Sequence, residues 1–381
     1  MMITSVGEKF RQLFGREPVM VCSPGRINLI GEHTDYNEGF VLPAAIDKYV
    51  VMAMGANGTG QCHVYASAFD EHISFDLENA HRREGWINYV AGVVYYLRQQ
   101  GHELSGFDAV LDSNLPVGAG LSSSAAVEGA VGVGLTHLFG LEASRLDLAK
   151  AGQLAEHNFA GVKCGIMDQF ANLYGKKDHL IRLDCRDLSY QYFPFPFSDH
   201  SIVLCHSGVH HALASSQYNL RRQQCEQGVQ AISRHFPAVK SLRDVDLDML
   251  DGCRPQLDEE VYKRCRYVIG ENQRLWEACR CLADEDLTGL GRLIYASHEG
   301  LSTEYEVSCE ELDFLVSLAR ERPEVAGARM MGGGFGGCTL NVVHQPDVEE
   351  FADFVTRRYR ERFDHVPQIY VTRIEEGARV L

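Results

Sequence analysis

Two short stretches of the chain gather residue types that can do chemistry. In "SPGRINLIGEHTDYNEGFVLPAAI", residues 23–46, a single cation, Arg26, precedes a polar cluster of Glu32, His33, Thr34 and Asp35 set between apolar runs. Carboxylates and an imidazole one or two residues apart suit hydrogen bonding to neighbouring hydroxyl groups, because charge-assisted bonds are short and strong. That is the chemistry of a polyol pocket, with an ordinary polar surface turn as the plainer explanation. In "LPVGAGLSSSAAVEGA", residues 115–130, glycines and serines lead into a small-residue helix starting near Ser123. A helix start presents unpaired N–H groups and a partial positive charge, which together bind phosphate. Gly118 and Gly120, with Ala119 and Leu121 beside them, let the backbone approach an anion. Ser122, Ser123 and Ser124 can cap the helix, donate to phosphate oxygens or coordinate Mg²⁺. A serine cap after a simple turn would need fewer such residues. The loop is neither GxxxxGK[ST] nor GxGxxG, so it is not one of the common nucleotide loops.

A second glycine-rich stretch, "RMMGGGFGGCTLNVV" at 329–343, does spell GxGxxG through Gly332, Gly334 and Gly337. A dinucleotide fingerprint leads from strand to helix, whereas this one leads into a run of strand character. What it offers is a loop with little side chain, suited to packing its backbone against a ligand or a facing domain; a flexible hairpin is the alternative.

These segments need a scaffold, and periodicity supplies its outline. "YVVMAMGA", "CHVYASA", "FDAVLDS", "HLIRLDC" and "HSIVLCHSG" read as strands, while "WINYVAGVVYYLRQQG" and "SRLDLAKAGQLAEHNFAG" read as helices with apolar stripes. The N-terminus has Phe10, Leu13 and Phe14 at helical spacing among charges, the pattern of an amphipathic helix and not of a signal peptide. In "YFPFPFSDH" two prolines argue against a central strand and mark the boundary between two parts. Beyond it come long helices, "ALASSQYNLRRQQCEQGVQAIS" and "DEEVYKRCRYVIGENQRLWEACRCL", then "CTLNVVH" and "IYVTRI" as strands. The expectation is a mixed α/β chain of two domains, 1–195 and 196–381.

Composition narrows the partners. The chain has 381 residues, 45% of them hydrophobic, and a formal net charge of −16. So acidic a surface disfavours nucleic acid and anionic membranes, since binding there rests on Lys and Arg neutralising phosphates. No apolar run reaches membrane-spanning length. The twelve cysteines are scattered, without CxxC spacing, and point to reduced thiols in the cytoplasm.

Taken together, "GRINLIGEHTDYNEGFVLPAAI", "LPVGAGLSSSAA" and "GARMMGGGFGGC" resemble the three signature motifs of the GHMP kinase superfamily, in the same order, and the first is similar to the galactokinase signature in particular. The resemblance implies a two-domain GHMP kinase fold: a mixed-sheet N-terminal domain, a C-terminal domain of helices and antiparallel sheet, and the active site between them. It implies ATP-dependent phosphorylation of the C1 hydroxyl of α-D-galactose with Mg²⁺, by a protein expected to be monomeric. Residue by residue, Glu32, His33, Thr34 and Asp35 resemble sugar ligands, and Arg26 the basic residue near the transferred phosphoryl group. "CGIMDQFAN" is similar to the segment bearing the catalytic aspartate, here Asp168, with the backbone at Gly165 along the sugar. Tyr218 in "SSQYNLRR" matches the tyrosine against the sugar. The loop Gly118 to Ser124 would hold the nucleotide phosphates, and Ser124 with Glu156 the Mg²⁺. Kinases for N-acetylgalactosamine, another sugar or mevalonate, and a non-catalytic galactose and ATP sensor, remain as alternatives.

Overall fold

The computed structural model describes residues 2–116, 118–210 and 214–381. Among them the strands are β1 (Val19–Asn28), β2 (Phe40–Val41), β3 (Pro43–Ala56), β4 (Gln61–Ala66), β5 (Glu71–Asp76), β6 (Phe107–Ser113), β7 (His179–Asp184), β8 (Tyr190–Pro194), β9 (His200–His210), β10 (Val325–Met330), β11 (Gly336–His344), β12 (Gln368–Thr372) and β13 (Arg379–Val380). They form a six-stranded sheet in the order β13-β1-β3-β6-β4-β5, a four-stranded sheet β10-β11-β9-β12 and a three-stranded sheet β2-β7-β8.

From Val50 to Met54 the long strand β3 is apolar on both faces because both are covered. The amphipathic helix Met2–Phe14 sets Val6 and Phe10 against Val51, Ala53 and Val110. The helix Ser123–Phe139 lies on the other face, and its small residues are what bring it so close. A Cβ at Gly134 would meet Met54 Sδ at 2.2 Å, and one at Gly129 would meet Asn172 Oδ1 at 1.9 Å. The small-residue run after Ser124 is thus a packing feature as well as part of a loop signal.

β1 carries Pro24 and Gly25 inside a central strand, which its sequence does not suggest. Its register against β3 slips between Pro24 and Arg26, and β13 covers only Val21 and Cys22, so the proline sits at a bulge. Gly25 leaves room for the backbone of the serine loop: a Cβ there would meet Leu121 O at 2.6 Å, and Arg26 N donates to that oxygen at 3.1 Å.

The proline-marked stretch 192–200 begins inside a strand. Tyr190–Pro194 is the edge strand of the three-stranded sheet, with Pro194 as its last residue opposite His179, where a missing N–H costs no ladder bond. The helix predicted from residue 212 is described from Ala214 to Ser233; residues 212 and 213 lie outside the described residues, as does Val117 of the serine loop. One apolar core runs from the six-stranded sheet through to Ile202, Leu204, Met331 and Leu340, so the two halves share an interior. The chain then ends on the first half, with β13 against β1 and Ala378 N donating to Asn172 O at 2.8 Å.

Candidate active site

At the centre of the site, three segments distant in sequence converge on one carboxylate. Asp168 stands in the first turn of the helix Met167–Tyr174. Arg26, aimed by the β1 bulge, donates to it twice: Nε to Oδ1 at 2.7 Å and an Nη to Oδ2 at 3.1 Å. The other Nη of Arg26 donates to Gly120 O at 2.6 Å. Ser122, at φ +57°, does not cap its helix; its hydroxyl donates to Asp168 Oδ2 instead. The helix Ser123–Phe139 therefore keeps its first N–H groups directed at the loop, while loop, arginine and aspartate are tied together. Burial works against the charge on Arg26, but Asp168, Glu32 and Asp35 outweigh it and hold its pKa above the ordinary value. The Arg26 side chain is 5% exposed and that of Asp168 is 27%, so the aspartate is the member of the pair open to a ligand.

Asp168 faces a cavity of about 310 Å³. Arg26, Glu32, His33, Asp35, Gly165 and Tyr218 line it together with Gly332 and Gly333 of the second glycine-rich loop. That loop packs as its composition suggests: ideal Cβ atoms at Gly332 and Gly337 would lie 3.4 Å from Gly120 O and 3.6 Å from the Ala119 carbonyl carbon. Glu32 is held by Arg329 from β10 and by Asn28 Nδ2 at 3.1 Å, both on Oε2. His33, at φ +60°, has Nδ1 2.7 Å from Tyr36 Oη. Its Nε2 is buried and makes no hydrogen bond of ordinary geometry among the described residues, although the Gly333 backbone is near enough to favour a charged ring. Burial dominates and lowers the His33 pKa to about 3. Asp35 abuts Gly165 so tightly that a Cβ there would meet Asp35 Oδ2 at 2.0 Å. Burial first, then the charge of Asp168, push the Asp35 pKa up to about 7.

Thr34 is the exception. It is fully buried away from the cavity wall, its hydroxyl donating to Gly31 O and Phe40 O, and its part is to hold the turn that presents its neighbours.

The other end of the cavity is lined by Ser122, Ser124 and Glu156. Glu156 begins a π-helical turn, Glu156–Ala160, that interrupts the single helix expected over this segment. It is 7% exposed and hydrogen-bonded by the Ser124 hydroxyl; burial raises its pKa to about 7. Glu128 lies buried behind it, its Oε2 accepting from Gln169 Nε2 at 2.9 Å. Burial, then the charge of Glu156, hold Glu128 well above the usual carboxylate range. Ser123 and Ser124 reach a second cavity, of about 700 Å³, whose wall includes Arg82, Arg83, Trp86, Tyr89 and Phe159. Ala119 and Leu121 are buried and Gly118, exposed, has no side chain, so these three can meet a ligand only through their backbone.

Sequence reasoning missed Arg329, Tyr36, Tyr305 and the aromatic wall of the second cavity. The arginine opens a quoted motif, but nothing local tells a buried cation from a solvated one. Tyr89 borders both cavities, and its only signal is a polar hydroxyl on an otherwise apolar helix stripe.

Comparison with known proteins gives the family. The galactokinase galactose-binding signature matches residues 8–56, the GHMP kinases N terminal domain residues 88–176 and the GHMP kinases C terminal domain residues 276–361. The chain is 41% identical over 372 residues to a galactokinase of Roseiflexus sp. (strain RS-1), covering 97% of this chain and 95% of the relative. A crystal structure of Lactococcus lactis galactokinase complexed with galactose superposes with a TM-score of 0.96 at 36% identity, over 99% of each chain. The mevalonate kinase of Methanococcus jannaschii shares the fold, with a TM-score of 0.68 at 15% identity over 94% of this chain and 99% of that one. The chain belongs to the galactokinase family of the GHMP kinases.

Proposed function

We infer that the chain is an ATP-dependent galactokinase, transferring the γ-phosphoryl group of ATP to the C1 hydroxyl of α-D-galactose and releasing galactose 1-phosphate and ADP. The observation that carries this reading is Asp168, bonded by Arg26 and Ser122 and open to a cavity with hydroxyl-binding groups at one end and the serine loop at the other. Glu32, His33, Asp35, Gly165 and Tyr218 hold the sugar. Asp168 accepts or orients the C1 hydroxyl proton as the bond to phosphorus forms. Arg26 keeps that carboxylate in place and adds positive charge beside the transferred group, where the transition state spreads charge over the equatorial oxygens. The backbone from Gly118 to Ser124 holds the phosphates, and the aromatic second cavity takes the base and ribose of ATP.

Ser124 and Glu156 suit Mg²⁺: both offer oxygen, they already meet each other, and Glu156 is a buried carboxylate with no cation paired to it among the described residues. Bound there, Mg²⁺ would neutralise charge on the phosphates. The division at 195/196 places the sugar signature and serine loop in one domain and Tyr218 with the second glycine loop in the other. Both walls of the cavity come from one chain, which supports a monomer as the working unit, and its twelve unpaired cysteines suit the cytoplasm.

The test is ADP release with Mg-ATP against galactose, N-acetylgalactosamine, glucose and mevalonate. Galactose should give the highest kcat/KM; no release above background with galactose would refute the reading.

A further inference from the structure

Behind the sugar-facing wall, three groups without a role in the scheme above form a row. Tyr36 Oη lies 2.7 Å from His33 Nδ1 and 2.7 Å from Tyr305 Oη, and Tyr305 Oη lies 3.3 Å from Cys225 Sγ. Tyr305 and Cys225 are buried. Each hydroxyl and the thiol has one proton to give, so setting one link sets them all. Two arrangements satisfy the row. In the first, Cys225 donates to Tyr305, Tyr305 to Tyr36 and Tyr36 to Nδ1, which leaves the ring proton on Nε2. In the second, Nδ1–H donates to Tyr36 and the row ends on the sulfur as acceptor. Sulfur is weak in either role, and the Asn37 side chain beside Cys225 gives it a second partner in both arrangements, so the other end decides. The first arrangement places a phenol proton on an imidazole nitrogen, the best acceptor present. Burial keeps the ring neutral, with a pKa of about 3, and the Cys225 thiol protonated, with a pKa of about 11, in either arrangement, so the choice between them rests on the acceptor strength of the ring nitrogen.

We propose that Cys225, Tyr305 and Tyr36 are positioning residues that lock His33 in the tautomer with its proton on Nε2, so that the ring offers the substrate a donor where Glu32 and Asp35 offer acceptors. The Nε2 atom, buried on the cavity wall beside the Gly333 backbone and without a hydrogen bond of ordinary geometry among the described residues, is the end of the row that faces a ligand oxygen. The substrate half of this proposal rests on the galactokinase reading; the tautomer does not.

The experiment is a long-range proton–nitrogen correlation spectrum of the full, ligand-free chain labelled with nitrogen-15 histidine. The His33 signals are those lost in His33→Gln. Nδ1 is expected at the unprotonated end of its range and Nε2 at the protonated end. Tyr305→Phe removes the donor to Tyr36; it should draw the two shifts together and raise the galactose KM about three- to tenfold, with kcat changed less than twofold. A protonated Nδ1 in the parent chain overturns the proposal, as do unchanged His33 shifts in folded Tyr305→Phe. If that variant does not fold, the parent spectrum alone decides the tautomer. A chain with the expected tautomer that releases no ADP with galactose fails the kinase reading and leaves the lock standing.

Discussion

Replacing Asp168 by asparagine separates chemistry from architecture at this site. The carboxylate accepts three hydrogen bonds, two from Arg26 and one from Ser122. Asparagine keeps the shape and one acceptor oxygen, but its NH₂ group must face one of those donors. At least one charge-assisted bond is lost, at about 1.5–3 kcal/mol. The full cost of stranding a buried charge, about 3–5 kcal/mol, does not apply, because Gly120 O still accepts from Arg26 and the charges of Glu32 and Asp35 remain near it. The loss of a proton acceptor costs turnover about 10²–10⁴-fold, or roughly 2.7–5.4 kcal/mol in the barrier. Catalysis should therefore suffer more than stability, and ground-state binding least. The measurements are steady-state ADP release, calorimetric titration with galactose and with a non-hydrolysable ATP analogue, and urea unfolding, all on one preparation. Turnover above about a tenth of the parent's would refute the catalytic role, since a lost base leaves far less. Loss of galactose binding together with turnover would make Asp168 a sugar-holding residue instead.

Three further perturbations read other parts of the site. Gly165→Ala should raise the galactose KM at least tenfold while leaving the ATP KM within about twofold, because the new Cβ would sit 2.0 Å from Asp35 Oδ2 and displace that carboxylate; an unchanged galactose KM in steady-state kinetics would show that Asp35 is not a sugar ligand. Asp35, with its pKa raised to about 7 in the free protein, holds a proton below that pH which an unfolded aspartate would release near pH 4. Its contribution to stability therefore falls as pH rises from about 4 to 7 and is level above. If the charged form binds the sugar, the galactose Kd from calorimetry should rise about tenfold per pH unit below 7 and flatten above it, and a flat profile from pH 5 to 8 would disprove this. Arg329→Met should destabilise the chain by about 3–5 kcal/mol in denaturant unfolding, since it leaves the buried Glu32 carboxylate without its cation; a change under 1 kcal/mol would mean that the pair does not join the two halves.

What could be read from the sequence was whatever depends on local chain chemistry. β6 spans the same seven residues as the strand read in "FDAVLDS", and the N-terminal helix buries Phe10 as its spacing requires. The serine loop was legible because glycine and serine at those intervals have few other uses, and Gly118, Gly120 and Ser122 all adopt positive φ. β1 was not legible: Pro24 breaks the strand pattern, and only its neighbours reveal a bulge. Thr34 was misplaced for a related reason. A hydroxyl between His33 and Asp35 looks like a ligand until the fold turns it onto Gly31 O and Phe40 O. Arg329 and Tyr305 were missed because their partners lie 297 and 269 residues away, beyond any spacing rule.

The charge on the cavity wall explains why a loop with so little side chain stands where it does. Four lining carboxylates, Glu32, Asp35, Glu156 and Asp168, face a single lining guanidinium, Arg26, which is already engaged by Asp168. Such a wall suits the hydroxyl donors of a neutral sugar and repels a polyphosphate. Adding lysines to the wall would relieve that repulsion, but they would also compete for Glu32 and Asp35 and for the carboxylate that must receive a proton. Backbone N–H groups at a helix start attract phosphate without that competition, since they are fixed and carry no side chain that can swing toward an acid. Gly118, Gly120 and the left-handed Ser122 shape the chain so that these groups can be reached, and the Ser122 hydroxyl is drawn off to Asp168, where it would otherwise have capped them. On the proposed reading, the phosphate end and the proton-accepting end of the site are thus linked through one serine's choice of partner.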